Sequence, residues 1–179
     1  MKIDFFEEPE LEFGAGQHVD IRYGIMNYGP VDFDHSLAPK SIRLGIVGTN
    51  ETVQGLRSWL EKCREEIPAK SSNKPNLFPR FPGFSTDTGF QSTLVMDSSM
   101  ERIIRQSDID ALKRFGSINL VVKEAVKIYY EELKYLADKA KVDVLVCALP
   151  QSLLSQLQSL ATPIRSRVKE EEQEKIEKQ

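Results

Sequence analysis

Apolar residues recur along this chain with two clear periods. From Glu51 to Ile67, the residues Val53, Leu56, Leu60, Cys63 and Ile67 follow at steps of three and four, which puts them on one face of a helix. Asn50 before it has the chemistry of a helix N-cap, Glu51 suits the positive helix end, and Pro68 closes the pattern. The strongest signal runs from Asn119 to Ala140. There Val122, Ala125, Val126, Tyr129, Leu133, Leu136 and Ala140 form a continuous face opposite a largely Lys and Glu face, predicting a long amphipathic helix. Trp59 lies beside the first stripe and is expected to pack at its edge.

Two other stretches are continuously apolar. "IRLGIVG", Ile42 to Gly48, and "VDVLVCALP", Val142 to Pro150, predict strands buried on both faces, and "GFQSTLVM", Gly89 to Met96, predicts another. "SSMERIIRQSDIDALKRFG" has mixed periodicity and predicts one or two short helices. Strand, helix, strand, helix, strand in this order argues for an α/β fold, a Rossmann-like parallel sheet with crossover helices.

The flanks differ. Residues 1–40 are irregular and punctuated by glycine, reading as short strands or extended arms joined by turns. From Pro68 to Ser85 the chain reads as a loop. Phe78, Phe81 and Phe84 recur in it, so it is expected to fold back and anchor its aromatic rings. "QSLLSQLQSLA" after Pro150 predicts a short helix, broken by Thr162 and Pro163. From Arg165 five basic and five acidic residues alternate with almost no apolar stripe, as in a solvated helical tail. The expected division is a linker-like segment over 1–40, an α/β domain over 41–163 and a charged tail over 164–179.

Composition changes the picture little. The chain has 179 residues, is 40% hydrophobic and 28% charged, and carries a net charge of −3, which supplies no global attraction to nucleic acid. No run approaches the roughly 20 apolar residues that span a bilayer, and the acidic start does not resemble a signal peptide. A cytoplasmic location without membrane association is expected. Cys63 and Cys147 have no short-spaced partner, and both fall in apolar patterns, as small buried hydrophobes do.

Candidate chemistry is sparse. "GIVGTNE", Gly45 to Glu51, is a strand, turn and helix start that offers amide donors to an anion. It lacks both glycine-rich nucleotide-binding patterns, and Glu51 sets a negative charge where a phosphate would sit. A structural turn is therefore favoured over a phosphate cradle. His18 and His35, amid Asp20, Asp32 and Asp34, are explained by turn chemistry without a metal. Glu131 and Glu132 in "YYEEL" read as solvent-facing. No nucleophile and base constellation is legible, so the reading is of a non-enzyme without cofactor or metal.

One family comparison covers most of the chain. The order "LEFG", "RYGIMNYGPVDF", "IRLGIVGTNETVQGLRSWLE", "LFPRFPGF" and "INLVVKEAVKIYYEELKYLADKAKVDVLVCALP" resembles the MID-PIWI region of prokaryotic Argonaute proteins, from about Leu11 to Pro150. The resemblance implies a MID-like domain over 41–163, itself Rossmann-like, that handles the 5′ end of a guide RNA or DNA in nucleic-acid-guided prokaryotic defence. In that family the phosphate pocket is built from elements after the "VCALP"-like strand, and the PIWI carboxylates lie further on. Only 29 residues follow Pro150, with no match to those elements. The resemblance therefore implies a first portion of such a protein, as a truncated product, one half of a split gene or a fragment. It would be non-catalytic alone, would bind a guide phosphate weakly, and would work with a companion PIWI or effector chain on guide and target nucleic acid. The expected guide-facing groups are Gln151 and Ser152, with Arg165, Arg167 and Lys169 the nearest basic ones, because ligands of parallel sheets sit beyond the strand C-terminal ends. The alternative is a Rossmann-like small-molecule or nucleotide-binding domain. A purely structural interaction module, suggested by the proline and phenylalanine loop, is a third reading.

Overall fold

A computed structural model describes residues 8–38, 40–74 and 77–161. Arg165, Arg167, Lys169 and the expected charged tail lie outside the described residues. The chain divides into two compact units, residues 1–43 with 58–95 and residues 44–57 with 96–179.

In the first unit, β1 (Leu11–Phe13) and β2 (Gly16–His18) form an antiparallel hairpin, followed by helix α1 (Ile21–Tyr28). The sequence reading made this stretch extended. Asp20 overrides it by accepting the amide hydrogens of Arg22 and Tyr23, which satisfies the first turn of a helix. The hydrogen bond from the Arg22 guanidinium, followed by that from the Tyr23 amide, holds the Asp20 carboxyl well below the usual carboxylate range. Strand β3 (Ser41–Gly48) begins in this unit, where Ser41, Ile42 and Arg43 pair in parallel with β4 (Thr93–Val95). The proline and phenylalanine loop does fold back. Ile67 and Phe81 exchange two backbone hydrogen bonds of 2.9 Å, Phe84 donates its amide to Cys63, and Phe84 stacks on Phe90 at 4.2 Å. Gly83 makes this approach possible. It sits at φ +78°, and a side chain there would meet the Arg64 carbonyl at 2.8 Å. Phe78, by contrast, stays exposed with Lys70 over its ring.

Helix α2 (Asn50–Lys62) follows β3 and buries Val53 and Leu60, with Cys63 buried just past its end, but it stops short of the expected Ile67, which is 47% exposed. It ends before Pro68, and Trp59 is 61% exposed instead of packed. In the second unit the rest of β3 is central. Ile46 pairs with Glu101 of β5 (Glu101–Ile103) and with Val146 of β6 (Val144–Ala148), so these two parallel strands lie on opposite edges of β3. Strand β5 was not expected, since its stretch read as helix. A short helix α3 (Gln106–Asp110), the long α4 (Ile118–Lys139) and α5 (151–161) complete the unit. The result is mixed α/β with a four-stranded parallel sheet flanked by helices, an arrangement compatible with a Rossmann-like fold. No helix among the described residues is long and apolar enough to cross a membrane.

The core of this unit joins Val47 of β3, Ile104, Ile109 and Leu112, α4 through Val121, Ala125, Tyr129 and Leu136, and Leu153 of α5. Two expectations fail here for one reason. Val122 and Val126 on the apolar face of α4 are exposed, and so are Val144, Leu145 and Cys147 of the strand expected to be buried. Among the described residues β6 has a strand neighbour on one side only, so the apolar stripe of α4 is wider than the surface they offer to cover it. The two cysteines consequently part company, Cys63 buried and Cys147 exposed, although the Cys147 sulfur borders α4 closely enough that desolvation raises its pKa, as burial does for Cys63. A disulfide-exchange reagent at neutral pH is expected to modify one thiol of the native chain, Cys147, more slowly than free cysteine. Cys63 should react only on unfolding, and peptide mapping after a timed quench checks the order.

Candidate functional site

The chain passes from β3 to β5 on one side and then to β6 on the other, so the strand order reverses at β3. Open parallel sheets bind ligands at such a reversal, in the crevice beyond the carboxyl ends of the two diverging strands. Here those ends are Gly48 and Ala148, which are paired residues. The Gly48 turn and the start of α5 with Gln151 and Ser152 therefore lie at the same end of the sheet. Far apart in the chain, they meet because of the strand order, which is invisible in one dimension.

The floor of the crevice is closed by side chains. The Ala148 carbonyl accepts the Thr52 hydroxyl at 2.9 Å from α2 and the Tyr129 hydroxyl at 3.2 Å from α4. Burial, with a smaller contribution from the nearby Cys147 thiol, pushes the Tyr129 pKa up to about 12, so it remains a neutral donor at physiological pH. Gly48 is explained by the same packing. A Cβ there would stand 2.6 Å from Thr52 Oγ1 and 2.7 Å from the Ala148 carbonyl oxygen. The glycine is required by the approach of α2 to the ends of the two strands, which agrees with the structural-turn reading. The cap is Thr49, one residue earlier than expected. It is buried, its hydroxyl accepts the Thr52 amide at 3.4 Å, and its carbonyl accepts the Val53 amide at 2.9 Å.

The rim is polar. Helix α5 begins at Gln151 directly after Pro150, whose carbonyl accepts the amides of Leu153 and Leu154. The first amides of α2 and α5 have no acceptor within their own helices, and both helices present their positive ends at the strand C-termini. Ser152 Oγ lies 3.4 Å from Gln106 Nε2 at the start of α3, and the Gln151 amide nitrogen turns to Ser155 Oγ at 3.3 Å. The basic group brought to this end by the described residues is Arg105, 85% exposed and only loosely paired with Asp108 at 3.9 Å. Glu51 in the first turn of α2 is exposed and opposes an anion there.

Of the expected guide-facing groups, the structure places Gln151 and Ser152 at this end of the sheet, and it brings Thr52, Gln106, Arg105 and Tyr129 there as well, which the sequence did not point to. Gln106 and Arg105 follow the strand that read as helix, and the Tyr129 hydroxyl contact depends on where β6 ends. Glu132 is also corrected. It is not simply solvent-facing, because it accepts a 2.6 Å hydrogen bond from Arg102 Nε, and that guanidinium lies 4.3 Å over the Tyr135 ring. His18 stacks on Tyr23 and accepts the Asp20 amide, while His35 accepts the Leu37 amide, both local turn contacts. Among the described residues no group of three potential metal ligands occurs.

No protein-family model and no curated protein matches this chain.

Proposed function

We propose that the chain is the opening part of an Argonaute MID-like domain that receives the 5′ end of a guide strand, has no catalytic role by itself and acts with a companion PIWI or effector chain. The ordered sequence resemblance motivates the reading. The single observation that supports it best is the convergence of the α2 and α5 N-termini at the ends of paired strands β3 and β6, with neutral Gln151, Ser152 and Gln106 and the cationic Arg105 around them. Free amides and a positive helix end suit a phosphate or the polar edge of a base. Among the described residues, one exposed cation opposed by Glu51 is a meagre set for a doubly charged terminal phosphate, which is why the companion chain belongs to the proposal. The nucleotide-site alternative is weaker, since the Gly48 turn is already filled by Thr52 and the Ala148 carbonyl.

An oligonucleotide with a photoreactive 5′-terminal nucleotide tests this directly. Crosslinks are expected in peptides containing residues 49–52, 105–106 and 151–152, with 5′-phosphate and 5′-hydroxyl strands binding the isolated chain within about tenfold of each other, or 1.4 kcal/mol. Crosslinks only to other peptides would overturn the guide reading. A larger 5′-phosphate preference would overturn the need for a companion.

A further inference from the structure

Strand β6, "VLVCA" from Val144 to Ala148, pairs among the described residues with β3 alone. Its second edge thus offers a row of backbone donors and acceptors, and its side chains are uncovered, with Val144 at 44%, Leu145 at 39% and the following Leu149 at 46% exposure. Beside that edge runs a groove of about 390 Å³, walled by Val122, Val126 and Tyr130 of α4, Cys147 and Leu149 at β6, and Leu157 of α5, without a charged residue in its lining. Lasting monomers guard such edges with lysine, proline, a bulge or a covering element. Within β6 there is no lysine and no proline.

The occupant has to be extended, so that it can continue the ladder, and apolar, so that it can fill the groove. The sequence over 162–179 is dominated by lysine, arginine and glutamate, and burying those charges without partners is costly. The segment with the required chemistry is β6 itself. We propose that a second copy of this chain occupies the edge, the two β6 strands pairing antiparallel across a two-fold axis. Pairing the same edge of the same strand requires this symmetry, and it closes the contact at two copies, since the contact uses up the β6 edge of both. With the axis at Val146, Val144 faces Ala148 and Leu145 faces Cys147 of the other copy, while Asp143 falls opposite Leu149, so no like charges meet. The contact joins the two sheets and covers the groove residues that one copy leaves bare. It does not depend on guide handling, and the crosslinking result above can succeed or fail independently of it.

Sedimentation velocity on the full chain across the micromolar range tests the proposal, together with hydrogen exchange of the β6 amides. The expected result is a monomer to dimer shift with no larger species, and protection of the β6 amides that grows with protein concentration. The Val144→Lys and Leu149→Lys double variant alters exposed side chains and is expected to weaken dimerisation at least tenfold. Should that variant lose native circular dichroism, Val126→Glu on the exposed face of α4 gives the same test without touching the strand. A monomer at every concentration would overturn the proposal. So would open-ended association, self-association that survives a folded variant, or a dimer whose β6 amides exchange as in the monomer.

Discussion

Leu136→Ala is expected to lower the unfolding free energy by about 2 to 5 kcal/mol, the range for a buried leucine truncated to leave a cavity. Leu136 is fully buried on α4, in the cluster that joins β3, α4 and α5. The site cannot easily collapse, because rigid elements line it from several directions. Leu120 on the same helix is 47% exposed, and Leu120→Ala should cost less than about 1 kcal/mol, partly offset by the better helix propensity of alanine. Urea unfolding of both variants measures the contrast. Similar losses at the two positions would mean that α4 does not dock on the face described here.

Gly48→Ala is expected to destabilise the chain by about 1 to 3 kcal/mol, the usual cost of forcing volume into a filled space. One of the two atoms a methyl group would strike is the Ala148 carbonyl oxygen, which is backbone and already held by Thr52 and Tyr129. The strand ends would have to part, or α2 would have to tilt. Thr52→Val should cost less, about 0.5 to 1.5 kcal/mol, because it removes the hydroxyl's contacts with Thr49 and Ala148 without adding volume, while the Tyr129 hydroxyl still satisfies the Ala148 carbonyl. Thermal unfolding of the two variants ranks the effects. A neutral Gly48→Ala would show that the turn has spare room, which would revive the phosphate-cradle reading of that glycine.

Legibility in the sequence followed the length of each signal. The 22 residues of α4 span six turns, and their period predicted its ends to within one residue. The long strand β3 was equally plain, since a run buried on both sides needs no partner to be recognised. Strand β5 has three residues, and what makes it a strand is its pairing with Ile46, Val47 and Gly48, a tertiary fact. Helix α1 had a legible cap in Asp20. Gly24 obscured the pattern, and its reason is packing, because the Phe13 ring occupies the space where a side chain would stand. At the candidate site Gln151 and Ser152 could be named from the rule that ligands lie beyond strand ends. Thr52, Tyr129, Arg105 and Gln106 could not, since their roles follow from which strands are neighbours.

The sequence by itself determined the alternation of strands and helices, the faces of the helices and the absence of a legible catalytic constellation, because these depend on periodicity and residue chemistry within short windows. Only the tertiary structure decided the strand order, and through it that the Gly48 turn and the start of α5 at Gln151 share one crevice. It also decided that β6 has one strand neighbour among the described residues. An apolar run is identical in composition whether one neighbour or two lie beside it, so the difference between a buried strand and an exposed docking edge is set by contacts between residues far apart in the chain.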